Sequence, residues 1–231
     1  NGLLALIVFA LAAGITQFGL LAGPRIGLAA ATQISLSGND AGLAAVLGVS
    51  PLIVGVLVVL VLLGLATWLY RRTREPAMLL AGSLIGAGVA GGWYVTGRLA
   101  QDEFFPTPPS GVTVSGPLAR VSNMITAGDL PALSFAMAFV IGVLVAAFVY
   151  SVLMRRFHLV HVRGESVPRI VVGAALMGIG ATFAAGCNIG QGLSGASTLS
   201  VESLLAVAGI VLGIMLAVAW LNRRESRAAR R

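Results

Sequence analysis

Long apolar runs alternate with short polar connections along this chain. The runs occupy roughly residues 2–23, 51–70, 76–97, 132–154, 168–186 and 203–221, each near the 20 residues or so that an α-helix needs to cross a hydrocarbon core of about 30 Å. Six spans is the simplest count. The expected fold is an all-α integral membrane protein, a bundle of about six transmembrane helices forming one transmembrane domain over 1–231. The stretch Pro24 to Ser50 is too polar and glycine-rich for a clean crossing. Within it, Ile26–Ala31 and Ala41–Val49 are apolar enough to lie at the interface or dip inward, so short half-helices are expected there. The longest polar connection, 98–131, carries Asp102, Glu103, Pro106, Pro108, Pro109 and Asp129 and reads as a proline-stiffened external loop. The runs Gly82-Ser83-Leu84-Ile85-Gly86-Ala87-Gly88 and Gly173-Ala174-Ala175-Leu176-Met177-Gly178-Ile179-Gly180 look alike, which hints at an internal repeat of the kind transporters use.

Composition agrees with lipid as the solvent. Of 231 residues 58% are apolar and 10% charged, with a mean hydropathy of +0.97, whereas about a quarter of a soluble domain is charged. Thirty glycines suit close helix packing in a bilayer. The net charge is +7 and all fifteen cations are arginines. They cluster at the ends of apolar runs, without a basic stripe interleaved with aromatics, so a nucleic-acid partner is set aside. Arg71, Arg72 and Arg74, then Arg155, Arg156, Arg163 and Arg169, then Arg223, Arg224, Arg227, Arg230 and Arg231 all fall on one side of a six-span layout. These twelve of fifteen leave Arg25, Arg98 and Arg120 for the other side. The bias puts both ends of the chain in the cytoplasm. One cysteine excludes an intrachain disulfide framework. Residue 1 is an asparagine with no charged leader after it, and the chain is expected to begin inside a longer protein, near the start of a span.

The candidate chemistry lies between the last two spans, in a broken-helix site over 186–200. Stepping by four from Gly178 gives Thr182, Gly186, Gly190, Ser194 and Thr198, one face of small side chains if the segment is helical. That face serves close packing of a neighbouring helix equally well. The glycines of 186–195 weaken a helix by about 1 kcal/mol each, so a break is expected. At membrane depth a break persists where the freed backbone groups are buried in protein or line a wet cavity. In transporters such breaks turn N–H groups and positive helix ends toward anions. Ser200 can cap the next helix and Glu202 suits its positive end. The candidate substrate-binding residues are Gly186, Cys187, Asn188, Gly190, Gln191, Gly192, Ser194 and Gly195, with Ser197 beside them. Their side chains are neutral donors and acceptors, which bind an anion without trapping it. Cys187, as a neutral thiol, can offer a weak S–H hydrogen bond to a soft anionic sulfur.

Other residues carry blander readings. His158 and His161 have the spacing of a metal pair, but without a third ligand nearby they read as solvated loop residues. Gln17 reads as a helix–helix hydrogen bond, and Arg25 as an interfacial anchor or an attractor of anions. Trp68, Tyr70, Trp93 and Trp220 fall near span ends and read as an interfacial belt. No Ser/His/Asp set, HExxH, phosphate loop or intramembrane carboxylate pair occurs, so neither an enzyme nor a proton pump is indicated, and no cofactor or metal is implied.

The run Gly173-Ala174-Ala175-Leu176-Met177-Gly178, followed by Gly186-Cys187-Asn188-Ile189-Gly190-Gln191-Gly192-Leu193-Ser194-Gly195-Ala196-Ser197-Thr198-Leu199-Ser200, resembles the signature of the YeeE/YedE family of bacterial sulfur-compound transporters. The resemblance implies a multi-pass protein of the bacterial inner membrane that takes up thiosulfate or a related sulfur compound. It also implies repeated membrane helices with half-helices meeting near the centre, and cysteines that pass the substrate along through S–H···S contacts. Cys187 occupies the matching position. The family usually has further cysteine motifs upstream, and residues 1–100 hold none. The chain therefore resembles the C-terminal two thirds of such a protein, with the remaining motifs in an upstream region or a partner protein. Two competing readings stay open: a non-transporting membrane subunit that docks through its glycine face, and a transporter of another sulfur or selenium species.

Overall fold

The computed structural model describes residues 2–32, 42–101, 108–128, 134–155, 157, 164 and 167–228. His158, His161, Asp102, Glu103, Pro106, Asp129, Arg156, Arg163, Arg230 and Arg231 lie outside the described residues. The described residues are helical apart from turns, the irregular segment 108–114 and an isolated antiparallel bridge between Gly42 and Ser200.

The helices are α1 (Gly2–Phe18), α2 (Ala22–Ala31), α3 (Leu43–Leu47), α4 (Pro51–Thr73), α5 (Pro76–Tyr94), α6 (Ser115–Ala127), α7 (Phe135–Leu153), α8 (Val167–Phe183) and α9 (Val201–Ala228). Among the described residues, five helical stretches are long and apolar enough to cross a membrane, or six when α1 and α2, bent by 63° at their junction, count as one span. Local chemistry explains where several begin. Pro51 and Pro76 open α4 and α5, where a proline lacks only an N–H that would go unpaired anyway. Ser134 caps α7, its hydroxyl oxygen accepting from Met137 N–H at 3.3 Å. Along α4 Val56, Leu57, Val59, Leu60, Val61, Leu62 and Leu63 are all more than half exposed. Apolar exposure around the whole helix belongs to a chain whose solvent is lipid.

The core is the meeting of α1, α6, α7 and α8, where Phe9, Ala13, Leu118, Ala119, Val140 and Ala174 are buried together. Small residues bring the backbones close. A Cβ at Gly178 would lie 2.6 Å from the Phe9 carbonyl oxygen and 3.1 Å from Ala13 N, so α8 rests directly on the backbone of α1. The row of small residues is therefore used within the chain at Ala174, Gly178 and Thr182, the buried positions of α8. The hydroxyls in this interface are satisfied inside their own helices: Thr16 donates to Ala12 O at 2.7 Å and Thr182 to Gly178 O at 2.8 Å.

Residues 98–131, expected as an external loop, contain α6. At thirteen residues it is too short to cross a bilayer, and its Ser, Asn and Pro content resembles a loop. Yet Ser115, Pro117, Leu118, Ala119 and Ser122 are buried, with Ser122 against Gly14 of α1. An order of long, short and long helix recurs among the described elements: α1, then α2 and α3, then α4; α5, α6, α7; α8, the break, α9. The third element ends beside Arg71, Arg155 or Arg223 in turn. The two similar glycine runs begin at the seventh residue of α5 and of α8, the same place in two such units.

Candidate functional site

The break after α8 begins one step earlier than the glycines predict. Gly186 N–H donates to Ala181 O at 2.9 Å and Ala185 N–H to Thr182 O at 3.3 Å, with Ala185 in the left-handed region at φ 54°. This is a Schellman stop with alanine where glycine is usual, a conformation that costs alanine roughly 1–2 kcal/mol. Gly186 follows, buried, and Cys187 is extended at φ −84°, ψ −179°. Asn188–Gly195 then wind as a π-helix, a wide coil frequent at functional sites. Leu199, left-handed at φ 54°, ends the segment. Ser200 O accepts from Leu204 N–H at 3.1 Å as α9 starts, and Glu202 lies in its first turn. The half-helix α3 reaches the same point, Leu43 N–H donating to Leu199 O at 2.9 Å.

Cys187 is half-buried. Ile189, Gly190 and Ser115 are the polar neighbours of its sulfur, through their backbone N–H groups and the Ser115 hydroxyl. The thiol thus lies where the start of the π-helical segment, at Ile189 and Gly190, comes close to the start of α6, at Ser115. Cys187, Asn188 and Ile189 border a cavity of about 570 Å³ between α1, α6 and α8, walled by Leu6, Phe9, Leu118 and Met177, with Arg169 also on its rim.

The remaining expected site residues divide between lining and support. Asn188 is exposed and lines the Cys187 cavity. The buried Gln191 side chain spans the break, its Nε2 donating to Ala184 O at 2.9 Å and its Oε1 accepting from Ser203 Oγ at 2.6 Å. The buried Ser194 hydroxyl donates to Val112 O at 2.6 Å. Gly190 packs beside Thr113, Gly186 beside Gln191 and Gly192 beside the Asn188 side chain. A Cβ at Gly195 would lie 2.7 Å from Ser203 Cβ, so α9 closes against bare backbone there. Gln191, Ser194 and Gly195 are thus committed to partners within the protein. Sequence reasoning missed Ser115, Val112 and Trp93. Pro117 in the first turn after Ser115 was the available sign of a helix start there. Trp93, read as a belt residue, donates its indole N–H to Ser197 Oγ at 3.1 Å.

Apolar helices long enough to cross a bilayer, one of them broken at Cys187, define a multi-pass α-helical membrane protein. The chain belongs to the YeeE/YedE family, whose description is "Sulphur transport" and whose pattern matches residues 1–216. It is similar to the protein named "Thiosulfate transporter TsuA" from Escherichia coli (strain K12), 28% identical over 120 residues that make up 52% of this chain and 34% of TsuA. A second similar protein, "Probable transporter" from Xylella fastidiosa (strain 9a5c), is 31% identical over 103 residues, 41% of this chain and 70% of that protein. The shared stretch thus spans about a third of TsuA's length.

Proposed function

We propose that this protein carries thiosulfate or a related sulfur-containing anion across the bacterial inner membrane into the cell, through a neutral polar site centred on Cys187. The observation that supports this reading is a thiol placed at a helix break, next to Ser115 and bordering a cavity. Membership of a sulphur-transport family and likeness to a thiosulfate transporter supply the cargo class.

The anion meets donors and helix N-termini that carry partial positive charge, then the S–H of Cys187, a soft partner for its terminal sulfur. Gly186, Asn188, Gly190 and Gly192 form the lining and approach surface, while Gln191, Ser194 and Gly195 hold it in shape. No fixed cation among 186–197 would detain the anion. The arginine-rich ends of α4, α7 and α9 face the cytoplasm, as does the Arg169 rim of the Cys187 cavity.

Uptake of labelled thiosulfate by cells that express the protein and lack other thiosulfate carriers tests the cargo. Uptake is expected, and unlabelled thiosulfate should compete better than sulfite, sulfate or selenium compounds. Stronger competition by one of those would reassign the cargo, and no uptake at all would contradict the transport reading.

A further inference from the structure

Two cavities border the broken segment and share no lining residue. One, of about 570 Å³, holds Cys187; the other, of about 670 Å³, is lined by Gly42–Ala45, Val49, Pro51 and Ser197–Ser200. Under the arginine orientation the second cavity faces outward. Along the chain, residues 190–196 separate their lining residues, and a file of hydrogen bonds holds this segment. Trp93 Nε1 donates to Ser197 Oγ at 3.1 Å, the Ser197 hydroxyl donates to Ser194 O at 2.6 Å, and the Ser194 hydroxyl donates to Val112 O at 2.6 Å. The file ties α5 and the segment before α6 to the break. Gly111 permits it, because a Cβ there would lie 2.6 Å from Ser194 Oγ and 2.9 Å from Trp93 Cε2.

A tryptophan of an interfacial belt turns its N–H toward water and headgroups. Trp93 instead donates its N–H to Ser197, which lines the outer cavity. We propose that Trp93 is a specificity-determining residue of the path: its bond to Ser197 closes the constriction between the two cavities, and an arriving anion opens it by taking over the indole N–H. A hydrogen bond to an anionic oxygen is roughly twice as strong as one to a neutral hydroxyl. The exchange therefore favours an anion over a neutral solute of the same size, and the neutral donor lets the anion go afterwards. This inference rests on the reading of 186–197 as the conduit.

Cys187 is the only thiol among these 231 residues, which makes it the reporter. A charged, membrane-impermeant methanethiosulfonate is added outside cells that express the full protein, and modification of Cys187 is timed by mass spectrometry. Trp93→Phe keeps the ring and loses the N–H; Ser197→Ala loses the acceptor. Both should label at least about fivefold faster than wild type, the equivalent of one ordinary hydrogen bond, and both should raise sulfate uptake relative to thiosulfate. Equal labelling rates in wild type and both variants, or an unmoved uptake ratio, would overturn the role of Trp93. A wild type that imports neither anion would instead sink the cargo reading, and the labelling rates alone would then decide the constriction.

Discussion

The Ser203 hydroxyl donates to the Gln191 side-chain oxygen at 2.6 Å, joining the first turn of α9 to the middle of the break. The other end of the same amide holds Ala184 O at 2.9 Å. Gln191 thus bridges the last residues of one span and the first of the next. Replacing it by alanine strands a buried carbonyl and a buried hydroxyl, each worth about 1–3 kcal/mol. Gln191→Ala should lower the Tm of the purified protein by roughly 4–24 °C at about 2–4 °C per kcal/mol. An unchanged Tm in a scanning fluorescence melt would show that the bridge bears no load.

Ala185 holds a left-handed conformation at φ 54°. Ala185→Gly relieves about 1 kcal/mol of strain and should raise Tm by about 2–4 °C. Ala185→Val, branched at Cβ, should lower it, and a lower Tm for the glycine variant would count against the Schellman geometry.

At the contact of α1 and α8, Gly178→Ala forces a methyl group against the Phe9 carbonyl. A loss of about 1–3 kcal/mol is expected for overpacking between two backbones. Gly173→Ala, one turn away and facing open space, is the matched control and should melt like wild type. The comparison fails if both variants behave alike.

Ser115 supplies the hydroxyl beside Cys187. Ser115→Ala removes that donor but keeps the backbone N–H. Initial-rate uptake of labelled thiosulfate should fall by about three- to tenfold, the range of a single hydrogen bond, with Tm nearly unchanged. Full uptake would remove Ser115 from the site.

Hydrophobic runs of about 20 residues reveal spanning helices because lipid demands continuous apolarity and internal pairing of every backbone group. That is why the all-α bundle and its five or six spans were legible. The half-helix α6 was not, because thirteen residues with one buried face read as a proline-rich loop when Gly14 and the rest of α1 are out of view. The break was expected from glycine content, whereas its onset is set by Ala185 and two backbone hydrogen bonds that no composition reveals. The convergence of Ser115 on Cys187, 72 positions apart in the chain, and of Trp93 on Ser197 depends on tertiary packing, and one sequence carries no trace of it. Gln191 and Ser194 looked like free donors in the sequence because their partners, Ala184 O, Ser203 and Val112 O, appear only when the chain is folded.

Purified protein in liposomes, loaded with labelled thiosulfate outside, gives the most direct test of the Cys187 site. Cys187→Ala should transport at least about tenfold more slowly than wild type, a difference of about 1.4 kcal/mol, with Cys187→Ser in between because oxygen is a harder partner than sulfur. Uptake by Cys187→Ala at the wild-type rate would contradict a site centred on this thiol.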